Sequence, residues 1–593
     1  MKLKSRITKL LLLLSVFLVS GKLNAQEQHT IKGRIIDQKT EKPAAYAHIY
    51  NSGLRLGTIS NASGAFQIKI SDFSDSVSVS FVGYQPQTIL LEPGKSNYLI
   101  QLKPAAHELS TVTVKPEDDD YLYDLLTACR ENDSKITAQA KGYYELKTYK
   151  DSNQIELVEG FYNLKNEGYD LTSARLKTGR AALQKSDNVI FASLESSKAV
   201  AMIKTFEESS YFPVSPLPLS KRKMKKQFYL RFEKAYENED SDSVFVIKFT
   251  PKDTASTEYF SGKIWVNRTH RNLIKTKLQA RNTTQHPFIA IKEEDQVTST
   301  DLNITKYFTK TDSGSLFRQT DFDYAVHYQN PKNHRSYSIQ TSAVLFAYDF
   351  ENLFSLPLPE DLFRDDPDDY TLISSLPYFE GFWSSGAESK LIDVDDVNSS
   401  FFSNPASLSS RSLRQSNAVA DLVLTEKIYE PWSKSRFNYQ KALAEGDQPQ
   451  PYFKDRKVIA DQYNLKAHIA LDYYDADNDV KYVTRTLFNL KDSYYELTFD
   501  MPVHCFVNMY FDLYEIGRRE LEKRTAELKE PTPEAVKKVY REVTAKTDKT
   551  ARRFVDEVDR GYNEQAMERW NEHIELELKI DNLNIFHPHS SRK

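Results

Sequence analysis

Cysteine is almost missing from this chain of 593 residues: Cys129 and Cys505 are the only two. Thiols that far apart exclude a disulfide scaffold and a zinc-ribbon site, and leave open one long-range bridge in an oxidising compartment. Beyond the N-terminus no run of about 18 apolar residues occurs, so no helix is expected to span a membrane after processing. Basic charge is not in excess, with 79 Lys and Arg against 83 Asp and Glu, which disfavours nucleic acid as a partner. Also missing are a Gly-rich phosphate loop, a Gly-x-Ser-x-Gly elbow and a Cys with a convincing His partner. What is present is ordinary globular composition, 40% hydrophobic and 27% charged, with 18 Gly and 23 Pro. The 35 Tyr and 33 Phe favour strand-rich structure, and the length suggests about three to five units.

The first 25 residues read as a secretory signal peptide. Lys2, Lys4, Arg6 and Lys9 precede an apolar stretch from Leu10 to Val19, and Ala25-Gln26 offers a cleavage point. The competing reading is an uncleaved anchor, which the short apolar core and the bulky Leu23 leave open. Gln26 in place of Cys gives no signal for lipidation. Cleavage removes five basic residues and no acidic one, leaving a net charge of -9. The basic run Lys221-Arg222-Lys223-Met224-Lys225-Lys226 reads as a solvated loop before a strand; contact with an anionic headgroup or polysaccharide is the alternative.

Residues 27–103 alternate as the short strands of a β-sandwich, at 30–36, 47–50, 65–70, 77–81 and 98–102, with Asn61-Ala62-Ser63-Gly64 as a turn. The order of Gly33, Pro43-Ala44, Gly57-Thr58, Gly64-x-Phe66 and Phe81-Val82-Gly83-Tyr84 resembles the carboxypeptidase-regulatory-like domain of exported Bacteroidota proteins. That resemblance implies a transthyretin-like sandwich without catalytic residues. Leu109 to Val114 is similar to the strand that opens TonB-dependent transporter plugs, but the helical last hundred residues do not fit a transmembrane barrel.

Residues 117–383 read as an antiparallel β-rich domain with a leading helix. Glu117 to Asp120 is an acidic hinge, and Leu122, Leu125, Leu126 and Cys129 recur at helical spacing over Tyr121 to Asn132. Cys129 on that stripe reads as a core thiol. Strands are expected at 143–149 and 155–164, flanking Asp151-Ser152-Asn153 as a hairpin, and a meander continues at 244–249, 262–267, 274–278, 304–309 and 322–328. Gly262 to Asn267 resembles the strand pattern of lipoprotein-carrier-like half-barrels, which implies a curved sheet holding an apolar ligand. Asp365-Asp366-Pro367-Asp368-Asp369 lacks the Gly and distal Glu of a calcium loop and reads as a solvated turn. Residues 384–424, rich in Ser and Asn, read as a linker.

Residues 425–593 read as a β-hairpin plus helices. Asp475 to Asp479 is the hairpin tip, since Thr486 stands where a calcium loop would need Glu. Helices are expected over 503–528, after Thr532-Pro533, and over 565–579, the first with Phe506, Tyr510, Leu513 and Gly517 on one face. Trp432-Ser433 with Phe437, Phe511-Asp512 with Glu515, Arg518, Gly561 and Gln565 with Trp570 resemble the anchors of a family of predicted secreted zinc-dependent proteases. In that alignment Phe506 and Tyr510 fall on the two His ligands, Val507 on the catalytic Glu and Arg560 on the later His. A zinc hydrolase needs two imidazoles one helical turn apart and a carboxylate for the water proton. The resemblance therefore implies a degenerate site filled by packing. His504 and His573 are off the required spacing and read as capping or surface residues.

The expectation is an α+β multidomain protein of the periplasm or outer membrane. No catalytic, cofactor-binding or metal-ligating residue is assigned. The favoured role is non-catalytic binding or assembly with an envelope protein or a glycan. The competing readings are a peptidase-like hydrolase with an unrecognised site and a carrier of an apolar ligand.

Overall fold

The structure, a computed structural model, describes residues 29–53, 56–61, 63–70, 72–81, 84–104, 120–183, 196–237, 242–290, 295–332, 334–350, 353–356, 369–375, 422–423, 429–439, 463–476, 479–490, 492–495 and 497–588. The expected signal peptide, the expected strand at 109–114, the expected hinge before Asp120 and the expected linker up to residue 421 lie outside them. As expected, the protein is α+β and multidomain. Its N-terminal part is one compact unit, and the central sheet and C-terminal helices belong to another.

The N-terminal unit contains β1 (His29–Asp37), β2 (His48–Asn51), β3 (Leu56–Ile59), β4 (Ala65–Ile70), β5 (Ser76–Ser80), β6 (Gln87–Leu90) and β7 (Asn97–Leu102). They form two sheets in the orders β4-β1-β7 and β3-β2-β5-β6. Exposure alternates along β4 and β7, as the two-residue side-chain period of a strand requires. Ile31, Ile35, Phe66, Ile68, Ile49 and Val79 are among the residues of the shared core. β3 and β6 were not among the expected strands; β6 carries no buried residue, so it has no alternation to read.

The second unit begins with α1 (Tyr121–Glu131), followed by β8 (Thr137–Lys150), β9 (Asn153–Glu167), β10 (Asp170–Leu183), α2 (Ser196–Met202) and α3 (Lys221–Gln227). Then come β11 (Phe228–Glu237), β12 (Ser243–Pro251), β13 (Ser261–Asn267), β14 (Asn272–Thr283), β15 (Gln296–Thr311), β16 (Gly314–Asn330), β17 (Arg335–Asp349), α4 (Asp369–Ser375) and β18 (Leu422–Val423). Eleven strands make one antiparallel sheet in the order β11-β12-β13-β14-β15-β16-β17-β8-β9-β10-β18. The expected meander is real from β11 to β17, but β17 returns to pair with β8 at Leu345↔Tyr144. The first hairpin thus extends the far side of the sheet. On one face Leu146, Val158, Ile304, Phe322 and Leu345 join a core that includes residues of α1, α2, α3 and α4.

Three expectations fail here. The basic run is a helix, α3, whose start is capped by the Ser220 hydroxyl accepting from Lys223 N. Three of its five basic residues have acidic partners: Lys221 lies 2.5 Å from Asp124, Lys225 pairs with Asp120, and Lys223 is 3.7 Å from Glu208. Asp369 is no solvated turn residue. It is buried, accepting from Ser197 N at 2.9 Å and Ser197 Oγ at 2.6 Å. The end of the expected linker is a strand, since Leu422–Val423 pairs with β10.

The C-terminal part holds β19 (Tyr429–Pro431), β20 (Tyr463–Asn464), β21 (Ala467–Ala476), β22 (Asp479–Asn489) and β23 (Tyr494–Tyr495). The helices α5 (Met501–Ala526), α6 (Pro533–Val558), α7 (Glu564–Leu578) and α8 (Asn582–Phe586) follow. β21 and β22 form the expected hairpin, and β19 pairs with β22. Asp500, Thr532, Asn563 and Asp581 cap the four helices, each side chain accepting from a backbone N–H in the first turn. α6 buries Val536, Val539, Val543, Thr547, Phe554 and Val558 at spacings that stay on one helical face. Gly517 lets it come close: a Cβ there would lie 2.2 Å from the Thr547 hydroxyl.

Candidate functional site

α5 carries the positions aligned with metal ligands. Phe506 and Val507 are fully buried and Tyr510 nearly so. Phe506 stacks on Phe554 with ring centroids 5.6 Å apart and meets Tyr463 edge-on at 6.1 Å. The Tyr510 hydroxyl donates to Leu465 O at 2.9 Å. His504 packs edge-on against Phe499 at 4.4 Å, and burial lowers its imidazole below the usual range. His573 packs against Trp570 at 6.3 Å. Among the described residues no group of three His, Cys, Asp or Glu is placed to hold a metal.

The other motif residues meet in a polar knot around Asp512. Its carboxylate is fully buried and accepts from Trp432 Nε1 at 2.7 Å, from Asn582 Nδ2 at 2.7 Å, and from Arg436 at 3.0 and 2.8 Å. One turn earlier, Asn508 clamps Phe437 by accepting from its N–H at 2.7 Å and donating to its carbonyl at 2.8 Å. The segment 432–437 is therefore strapped across α5. Glu515 accepts from Arg518 Nε and Arg519 Nε at 2.8 and 3.0 Å and from Thr486 Oγ1 at 2.9 Å. Burial works against its charge, but these donors hold its carboxyl below the usual range. Gly561 sits at φ 94°, where a Cβ would come within 2.3 Å of Pro502 O. Beside it, Arg560 lies 5.4 Å over the Tyr562 ring. Each group thus serves packing, and Trp570, 4.7 Å under Arg553, does the same.

Both cysteines are free and buried, so the long-range bridge does not form. Burial pushes the Cys129 thiol up to about 12 and the Cys505 thiol up as well, the opposite of an activated nucleophile.

On the central sheet, the face covered by helices is filled by side chains. Phe288 lies 4.3 Å from Tyr324, and Phe212 meets Phe322 edge-on at 6.0 Å. Four hydrogen bonds fix the cover. Tyr370 donates to buried Glu156 at 2.5 Å, Asp369 accepts from Tyr162 at 3.2 Å, and Lys306 donates to Asp170 at 2.6 Å and to Ile203 O at 2.9 Å.

The opposite face bears a cleft of about 400 Å³. Cross-strand pairing aligns Gln279, Asn303, Asp323 and Ser342 in one row over β14 to β17. Gln279 donates to Asn303 at 3.4 Å, and Asp323 accepts from Asn303 at 3.3 Å and from Ser342 at 2.7 Å. A second row runs Asp301, Ala325, Gln340 and Tyr149, with Arg281 at 2.8 Å from Asp301. None of these residues was singled out from the sequence. Alternating polar residues such as Asp301-x-Asn303 and Asp321-x-Asp323 mark an open face; only the register shows which of them are neighbours.

Comparison with known proteins adds one assignment. Residues 31–114 match the CarboxypepD_reg-like domain. The expected family of the N-terminal sandwich is thereby supported, and the match extends past β7. No curated protein matches the chain. Among solved structures, a DUF1329 family protein from Desulfovibrio piger is 11% identical, covering 39% of this chain and 93% of its own at a TM-score of 0.17. A LolA superfamily protein from Nitrosomonas europaea is 12% identical, covering 41% and 97% at 0.16. MucB in complex with MucA(peri) is 8% identical, covering 37% and 93% at 0.14. Scores this low assign no function to the chain.

Proposed function

We propose that this is an exported cell-envelope protein with a non-catalytic binding or assembly role, its N-terminal carboxypeptidase-regulatory-like domain serving as an accessory module. The carrying observation is the interior of α5. Phe506, Val507 and Tyr510 are packed in a hydrophobic core, and Asp512 and Glu515 are engaged by arginines. Arginine donors hold the Glu515 carboxyl below its usual range, which weakens it as a base, and a ring stacked on Phe554 holds no metal. The family resemblance is thus read as a scaffold kept for its packing. The carrier reading is less favoured because Phe212, Phe288 and Tyr370 occupy the face it would use. Among the described residues no helix is long and apolar enough to cross a membrane.

The test is to assay the purified full-length protein against casein and a mixed peptide library, with and without added zinc, and to locate the native chain by cell fractionation. No cleavage and recovery from the envelope fraction are expected. Chelator-sensitive cleavage, or recovery of intact residues 1–25 on cytoplasmic protein, would overturn the reading.

A further inference from the structure

The cleft on the open face of the central sheet is engaged by nothing described above. We propose that it binds a neutral glycan segment. Its volume of about 400 Å³ falls within the roughly 300–1,000 Å³ typical of small-ligand sites.

The lining explains the ligand class. A sugar ring presents neighbouring hydroxyls that both donate and accept, and planar amides and carboxylates span such pairs. Here Gln279, Asn303 and Gln340 supply amides and Asp323 a carboxylate. Because the sheet is antiparallel and in register, these groups project to one side at the interstrand spacing of about 4.8 Å. The Gln340 amide has no partner among the described residues and is exposed. Ala325 stands between Asp301 and Gln340, and its short side chain leaves room for a ring. Tyr149 closes that row with an aromatic surface against which the C–H face of a sugar would pack.

Charge selects against acidic ligands. Arg281 is paired with Asp301, so Asp323 leaves the cleft net negative. A phosphate, sulfate or uronic acid would meet that carboxylate, whereas a neutral sugar meets only hydrogen-bonding groups.

This inference rests on the binding reading above and names a ligand class for it. The test is titration calorimetry of the full-length protein with maltohexaose, cellohexaose, chitohexaose and mannohexaose, and with polygalacturonate as the acidic probe. At least one neutral probe should bind. Ala325→Trp, which fills the cleft from an exposed sheet face, should abolish binding, and Gln340→Ala should weaken it about threefold to tenfold. Both variants should melt within a few degrees of the parent. Failure of every neutral probe, preference for polygalacturonate, or parental affinity in both variants would overturn the proposal. Binding with hydrolysis of the probe would support the cleft and overturn the non-catalytic reading; absence of binding would remove the cleft and leave that reading standing.

Discussion

Lys177 and Asp472 stand 295 residues apart in the chain and form a buried ion pair. Lys177 sits in β10 where the register with β9 slips between Leu176 and Thr178, and such a bulge re-aims a side chain out of the regular alternation. Asp472 projects from β21 of the C-terminal hairpin. Burial drives the Lys177 ammonium down and the Asp472 carboxyl up, so desolvation consumes much of the attraction. The pair acts chiefly to fix where the hairpin meets the sheet, since a mismatched docking would bury either charge alone.

Removing one partner should therefore cost more than removing both. Lys177→Ala or Asp472→Ala should destabilise the full-length protein by about 3–5 kcal/mol, while Lys177→Met combined with Asp472→Leu should recover most of that loss. Urea unfolding of the three variants checks it. Equal losses for the single and double variants would show that the pair is not buried as a unit.

The packed interior of α5 makes a second expectation. Phe506→Ala should cost about 3–5 kcal/mol through the cavity it leaves. Glu520 pairs with Lys546 at 2.7 Å on the surface, and Glu520→Ala should cost no more than about 1 kcal/mol. Purified protein should carry no stoichiometric zinc, and a chelator should leave its melting temperature unchanged, because a metal bound to the native state would add stability through linkage. One zinc per chain, or a chelator-induced fall in the melting temperature, would reverse the assignment.

Glu515 gives a pH dependence. Its folded pKa lies below its ordinary 4.5, since the hydrogen bonds from Arg518, Arg519 and Thr486 outweigh burial. Its contribution is therefore fully present above 4.5 and is lost as the pH falls through the folded value. Glu515→Gln should be less stable than the parent at neutral pH, and the gap should narrow on acidification below 4.5. Urea midpoints of both proteins across that range are the measurement. A gap that widens in acid would show that the carboxylate is not held by those donors.

The N-terminal sandwich should fold without the rest. Its strands β1 to β7 close a core of their own, and the unit is compact by itself. A fragment of residues 27–104 should melt cooperatively in calorimetry. A non-cooperative trace, restored only when residues 120–350 are added, would move the boundary.

Local pattern alone determined five of the seven strands of the sandwich, the amphipathic stripe of α1, the hairpin of β21 and β22, and the Thr532 cap with Pro533 at the first helical position. In each of these, side-chain period or capping chemistry acts within a few residues. It also placed Phe506 and Tyr510 on an inward helical face. The return of β17 to β8, the bulge that sends Lys177 to Asp472, and the helix in the basic run at 221–227 were not legible in that way. Those features are decided by contacts between distant segments: Asp120 and Asp124 match the lysines of α3, and Ser197 gives Asp369 its buried partners. The cleft belongs to the same class, because alternation tells which side chains of β14 to β17 face outward, while only the pairing of Asn303 with Asp323 and of Ala325 with Gln340 makes neighbours of them.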